Sequence, residues 1–335
     1  MKKNQKFAEP SITSTYAGEF AGQYISAALL SAKTLDNRLV TIKPNVKYKE
    51  VIQKVAVAGI VQDASCDFVT SGSVSLTERI LEPKELQVNL SLCKQEFVDS
   101  WESLQLGYSA FDTIPANFND YLISYVAGFV AQATEESIWK GTNSNGQFAG
   151  FETLFSASIA AGTTVVSGSI TVSTGVIPAF SGSATVVGGQ PISGSVTSAN
   201  VISVIGSVYD SIPNAVYGKE DLLIYVSTNV AKAYQTALGG NANQSGFNTQ
   251  MNVGEKPFNF QGIEIVTCPG MSSDTIVAAQ KSNLFFGTGL LSDHNEVRVL
   301  DMANLDGSQN YRVIMRYTSG VQFGIGEDIV YYGAY

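Results

Sequence analysis

Apolar residues recur along this chain at two distinct periods, and the switches between those periods outline its elements. Over residues 17–33, Ala17, Phe20, Ala21, Tyr24, Ile25, Ala28 and Leu29 recur at three and four, which predicts a short helix. From 45 to 62 the pattern turns to alternation through Val46, Tyr48, Val55, Val57 and Ile60, and predicts a long strand. A turn region at 63–72 separates it from two more strand-like segments, 73–81 and 85–92, the latter carrying Leu86, Val88, Leu90 and Leu92. Together these predict a long hairpin-like excursion. A hairpin with free edges is marginal in water and normally lies on something else. Residues 115–140 give the clearest helical pattern. Pro115 suits its first turn, Asn117 a cap and Gly141 its end, with Phe118, Leu122, Val126, Phe129, Val130 and Ala133 in one stripe. At about 1.5 Å per residue it spans roughly 35–40 Å.

Residues 156–198 are rich in Ser, Gly, Thr and Val and hold a weak internal repeat. Its units are 166–171, 180–185 and 192–197, each an apolar residue, a Ser-Gly-Ser turn and an alternating start. Short surface hairpins are the expectation, with a flexible linker as the alternative. An alternating α/β stretch follows. Ser198 can cap a helix over 199–211 with Val201, Val204, Ile205, Val208 and Ile212 on one face, stopped by Pro213. Leu222 to Val226 reads as a buried strand. Thr228 begins a helix closed by Gly239 and Gly240, and 263–266 and 275–278 read as strands. From Glu296 to Tyr332 the chain alternates again.

Composition changes this picture in one respect. Charged residues make up 15% of the 335 positions, against about 25% in a typical soluble protein, and 44% are hydrophobic. Low charge with 31 glycines suggests a surface that other subunits cover, although a β-rich extracellular protein would look similar. The net charge of −9 argues against a primary nucleic-acid binder. Residues 1–60 hold nine basic and four acidic side chains, a net +5, and the remainder holds 11 and 25, a net −14. A basic arm on an acidic body suits docking onto a neighbouring copy; a solvated tail is the plainer alternative. Lys2, Lys3 and Lys6 in the arm, Lys47, Lys49 and Lys54 on the outgoing strand, and Glu135 and Glu136 on the long helix are the candidate contacts. The two glutamates are expected to form a solvated or subunit-facing patch.

Candidate chemistry is sparse. Cys66, Cys93 and Cys268 are odd in number and widely spaced, which argues against a disulfide framework and most zinc sites. The first ten residues lack the apolar stretch of a secretory signal, and no run approaches a membrane span. His294, the one histidine, lies in Asp293-His294-Asn295-Glu296; a polar turn after Gly287-Thr288-Gly289 is expected there, since no G-x-S-x-G accompanies it. Residues 301–307 lack the ligand spacing of a calcium loop, and Gly324-Ile325-Gly326 lacks the third glycine of a dinucleotide site. Trp101 and Trp139 read as packing anchors. No catalytic, cofactor or metal site is expected.

The order of these parts resembles the major capsid proteins of tailed bacteriophages, the Hong Kong 97 (HK97) fold. The most specific stretch runs from Asn283-Leu284-Phe285-Phe286-Gly287-Thr288-Gly289 through Val297-Arg298-Val299-Leu300-Asp301 and Arg312-Val313-Ile314-Met315-Arg316 to Gly324-Ile325-Gly326-Glu327-Asp328. It is similar to the C-terminal region of capsid proteins from phages of Bacteroidetes-type hosts, including crAss-like ones. The resemblance implies an α+β, HK97-like capsid fold divided into an N-terminal arm (1–44), an extended β-hairpin E-loop (45–92) and a peripheral domain with a spine helix (93–155). A β insertion (156–198), an axial domain (199–295) and a return to the peripheral domain (296–335) complete it. It implies a homo-oligomer of pentamers and hexamers forming an icosahedral shell around the phage dsDNA, with at most weak direct contact to it. Portal, scaffolding and decoration proteins are the implied partners, the virion capsid the implied location after assembly in the bacterial cytoplasm, and no cofactor, membrane or enzyme activity is implied. Some relatives cross-link an E-loop lysine to a neighbour's asparagine, for which Lys47, Lys49 and Lys54 are the candidates. An encapsulin shell, a β-rich surface or tail protein, and an enzyme using His294 are the rival readings.

Overall fold

A computed structural model describes residues 13–17, 32–58, 61, 63–64, 73–93, 117–166, 169–172, 177–178, 195–240, 258–289, 296–302, 308 and 310–333. In chain order these form β1 (Thr13–Ala17), α1 (Lys33–Asp36), β2 (Thr41–Pro44), β3 (Glu50–Ala58), β4 (Ser73–Leu81) and β5 (Lys84–Cys93). Then come α2 (Asn117–Lys140), α3 (Phe151–Gly162), β6 (Thr163–Val166), β7 (Ser169–Val172) and β8 (Ile177–Pro178). The third part holds α4 (Val201–Asp210), β9 (Leu222–Val226), α5 (Thr228–Gly240), β10 (Phe258–Phe260), β11 (Ile263–Thr267) and β12 (Ile276–Gln280). The chain ends with β13 (Leu284–Thr288), β14 (Glu296–Asp301), β15 (Asn310–Phe323) and β16 (Val330–Tyr332).

Two six-stranded sheets carry the fold. The first has the order β1-β14-β15-β13-β2, with β5 also paired to β15. The alternation read in the C-terminal region sorts its faces: Val297, Val299, Tyr311, Val313, Met315 and Tyr317 point inward and are buried, while Arg298, Arg312 and Arg316 point out. The long helix α2 lies on the inner face. The second sheet, β10-β11-β9-β12-β16-β8, is covered on both sides, which accounts for the unbroken apolar run Leu222–Val226. Leu222, Ile224 and Val226 face α4 and α5 in one core. Leu223 and Tyr225 face the other way, into the core shared with the first sheet and α2.

Several expectations are corrected by this arrangement. Segment 85–92 is a strand, but β5 leaves the hairpin and pairs along its whole length with β15, from Lys84↔Ser319 to Cys93↔Asn310. The free hairpin is therefore β3 and β4 alone, paired from Glu50↔Leu81 to Ala58↔Ser73. The described parts of the arm belong to this subunit's own body. β1 pairs with β14, β2 runs parallel to β13, and Ala32, Leu35, Leu39 and Val40 are buried in the first core. Residues 156–162 are helical rather than hairpin, because Phe151, Phe155 and Ile159 recur every fourth residue and bury one face of α3. The first repeat unit does mark a hairpin, β6 with β7; the second lies outside the described residues, and of the third only 195–197 are described, which form no strand and lead into the turn before α4. Gly287 lies inside β13. A Cβ there would sit 2.8 Å from Leu81 Cδ2, so the missing side chain admits the end of the hairpin into the core.

The face of α2 is also rotated from the expected stripe. Val126, Val130, Thr134 and Ile138 are buried on one line, and Ala131, Glu135 and Trp139 on the adjacent one. Phe129 is 57% exposed and Ala133 is exposed, because the helix is wedged between the first sheet and the root of the arm rather than against one surface. Trp139 is fully buried, its ring 5.5 Å from those of Phe151 and Tyr225.

Candidate assembly surfaces

The hairpin is fixed at its base, and its outer face there, at Val51 and Ile80, is bare. Lys43 pairs with Glu50, Gln322 Nε2 donates to the Ile80 carbonyl at 2.9 Å, and the Arg79 guanidinium lies 4.0 Å over the Phe323 ring. These contacts hold the inner face, where Leu81 is fully buried. On the other face Val51 and Ile80 stand opposite each other in register, 46% and 49% exposed, and Tyr48 beside them is 72% exposed. An aligned, exposed apolar pair of this kind on a two-stranded ribbon is a candidate contact surface.

The lysines read as candidates separate. Lys47 is exposed. Lys49 pairs with Glu82 at 3.1 Å, and the hydrogen bond it donates to that carboxylate, with the carboxylate's charge, holds the ammonium above its usual value. Lys54 lies on β3 opposite Thr77, its side chain outside the described residues; Lys2, Lys3, Lys6, His294, Cys66 and Trp101 lie outside them altogether. Lys84 was not singled out by sequence. Its ammonium closes the loop after α2, donating to the carbonyls of Ser144 and Gln147 at 2.9 Å and to Asn143 O and Oδ1 at 3.3 Å.

Glu135 corrects the expectation of a solvated or subunit-facing patch. It is 6% exposed; its Oε2 accepts from the Thr34 N–H at 2.9 Å and its Oε1 from the Thr34 hydroxyl at 2.6 Å. The Trp139 indole N–H in turn donates to Thr34 Oγ1 at 2.9 Å. Glu135 and Trp139 are four apart and so share a face of α2. Burial of the carboxylate is tolerated because both oxygens are met by donors. It is thus an internal staple between helix and arm root. Glu136, one residue on, is half-buried and lies 3.7 Å from Lys140.

Loop 268–275 joins the two sheets to the helices. A Cβ on Gly270 would lie 2.1 Å from the Glu135 carbonyl, so only glycine fits that approach. The Ser272 N–H donates to Glu152 Oε1 at 2.8 Å. Burial raises the Glu152 carboxyl above the usual range, partly offset by the Ser272 bonds and by Lys140. Asp274 Oδ1 accepts from Asn229 Nδ2 at 2.6 Å and the Val196 N–H at 2.8 Å. Asn283 clamps the C-terminal turn, accepting from the Ile325 N–H and donating to its carbonyl, both at 2.7 Å. The second module presents an aromatic surface of its own. Tyr217 and Phe258 are 54% and 36% exposed, and the Tyr209 and Tyr217 hydroxyls are 2.7 Å apart.

Among the described residues no three His, Cys, Asp or Glu side chains converge to hold a metal. No described helix is long and apolar enough to cross a membrane. Solved structures share this arrangement of helices, sheets and hairpin. No protein-family model matches the chain, and no curated protein has a significantly similar sequence. A subunit of the cyanophage A-1(L) capsid matches with a TM-score of 0.55 at 13% identity, over 90% of this chain and 93% of that one. A chain of the satellite phage P4 procapsid, which includes the size determination (Sid) protein, matches at 0.53 and 11%, over 93% and 98%. The capsid of the native GTA particle matches at 0.52 and 12%, over 99% and 96%. The chain therefore has the HK97-like α+β fold of these capsid proteins.

Proposed function

We propose that this chain is a major capsid protein that assembles through pentamers and hexamers into an icosahedral shell enclosing phage dsDNA. The observation that carries this reading is the exposed Val51–Ile80 face of a projecting hairpin, on a fold shared with capsid subunits over nine-tenths of the chain or more. In the shell, the hairpin lies across an adjacent subunit and buries that face. The second module, with Tyr217 and Phe258 at its surface, meets its copies around the five- and six-fold axes. The N-terminal lysines Lys2, Lys3 and Lys6 carry positive charge toward the acidic body of a neighbour. Heterologous contacts that close into rings, and rings into a shell, need no catalytic group. The net charge of −9 keeps direct contact with packaged DNA weak. Portal, scaffolding and decoration proteins are the partners such a shell takes, and the host bacterial cytoplasm is where it forms before becoming the virion capsid.

The test is the double variant Val51→Asp, Ile80→Asp. Both side chains are half exposed, so subunit stability changes by only about 0.5 kcal/mol per site. Two carboxylates in a buried contact stop shell formation. Normal shells from the double variant would refute the hairpin's role.

A further inference from the structure

The loop after α2 carries the one Asn-Gly pair in the chain, Asn145-Gly146. Its rims are fixed. Thr142 bridges to Ala149, the Asn143 N–H donates to the Phe148 carbonyl at 3.4 Å, and Lys84 holds Asn143, Ser144 and Gln147. At the tip the Gln147 N–H closes a turn on the Ser144 carbonyl at 3.2 Å, with Asn145 second and Gly146 third. Gly146 has φ +78°, the left-handed value that the third position of a type II turn asks of glycine. Asn145 and Gly146 are both exposed, and among the described residues no hydrogen bond engages the Asn145 amide or the Gly146 N–H. Asn143, two residues earlier, is held differently. Lys84 donates to its Oδ1 at 3.3 Å, and Ser144 follows it with a hydroxyl tied to Thr142 and Gln147.

We propose that Asn145 is a site of spontaneous deamidation whose product alters the root of the hairpin. The Gly146 main-chain nitrogen gives up its proton and attacks Asn145 Cγ. A C–N bond forms to close a five-membered succinimide, and the side-chain nitrogen leaves as ammonia. Solvent water then adds to either ring carbonyl and opens the ring, which leaves aspartate or iso-aspartate at this position. No oxidant, reductant or second protein takes part. A side chain on the following residue would hinder the attack, but the turn demands glycine there, so the φ that shapes the tip also opens it to this reaction. In iso-aspartate the main chain runs through the former side-chain carbon and is one methylene longer, so the turn from Ser144 to Gln147 no longer closes. Both of those residues lend carbonyls to Lys84, each at 2.9 Å. Lys84 opens β5 just after Leu81 ends β4. A cleft of about 460 Å³, lined by Ile80, Glu82, Lys84, Asn143 and Phe148 among others, joins the loop to the hairpin. Either product also puts a carboxylate where a neutral amide stood. The change therefore accumulates with the age of the subunit at the base of its hairpin, and it needs no assembly.

The experiment holds the purified full-length protein in mildly alkaline buffer made with ¹⁸O-labelled water, then cleaves it at glutamate. Cuts after Glu136 and Glu152 release residues 137–152. Mass spectrometry with electron-transfer fragmentation is expected to show amide-to-acid conversion at 145 carrying one ¹⁸O, with iso-aspartate the more abundant product. Asn143, in the same peptide, is expected to convert at least about tenfold more slowly, and Gly146→Ala to slow position 145 by at least about tenfold. Asn145→Gln keeps an amide and the turn's glycine but would need a six-membered ring, so it is expected to silence the site; it serves should Gly146→Ala fail to fold. Hydrogen exchange of the aged protein is expected to quicken at the Gln147 N–H by at least about tenfold. No conversion at 145, equal conversion at Asn143, no ¹⁸O in the product, an unchanged rate in the folded variants or unchanged protection at Gln147 would each overturn the proposal.

Discussion

Replacing Glu135 tests whether the arm is anchored to this subunit's own helix. Glu135→Ala removes two charge-assisted hydrogen bonds, each worth about 1.5–3 kcal/mol, and leaves the fully buried Thr34 N–H without its acceptor, at about 1–3 kcal/mol. Relief of the buried carboxylate's own desolvation offsets part of this, so the net loss is about 3–5 kcal/mol. Glu135→Gln keeps an acceptor for the N–H and loses only about 1–2 kcal/mol. Thr34→Val strips the hydroxyl from both Glu135 and the Trp139 indole, and loses about 2–4 kcal/mol. The double variant Thr34→Val, Glu135→Ala is milder than the sum of the singles by about 1–3 kcal/mol, because neither strands the other's partner a second time. Equilibrium urea unfolding of the unassembled subunit, followed by tryptophan fluorescence, measures all four. A Glu135→Ala loss within about 0.5 kcal/mol, with additive effects, is what a solvated carboxylate gives and would refute the staple.

Two further outcomes follow from the junction. Burial raises the Glu152 carboxyl, so the folded state holds its proton more tightly than the unfolded chain does. The associated stability is present below the unfolded value and is lost as pH rises through the folded one. Glu152→Gln is therefore expected to gain on the wild type between about pH 4.5 and neutrality, by paired urea titrations across that range; parallel curves would contradict this. Gly270→Ala is expected to cost more than about 2 kcal/mol or to block folding, because backbone meets its Cβ. Gly206→Ala, on α4 with only Phe260 at 4.0 Å, is expected to gain about 0.5–1 kcal/mol in the same assay.

Local periodicity carried the elements but not their partners. Leu222–Val226 and the Val201–Val208 face of α4 were legible because burial on one or both faces imposes its own period. The alternation of Leu86, Val88, Leu90 and Leu92 named a strand. Its mate is β15, more than two hundred residues on, and no local pattern can point there. β1, with the sequence TSTYA, has too little apolar contrast to read as a strand and exists by pairing to β14. The candidate surface was legible in part. Lys47 and Lys49, expected on the outgoing strand, precede it, since β3 begins at Glu50; Glu135 is made internal by Thr34, 101 residues away, and two adjacent glutamates look alike in sequence. One signal was available: Glu135 and Trp139 share a helix face, and a carboxylate beside a buried tryptophan requires a donor of its own.

The central claim is that this subunit builds shells, and direct imaging of the purified protein by negative-stain electron microscopy, with mass photometry beside it, tests it most directly. The account predicts closed shells, or rings of five or six 35.7 kDa subunits as their precursors. A uniform 35.7 kDa monomer that stays monomeric when co-expressed with its neighbouring scaffolding candidates would contradict it.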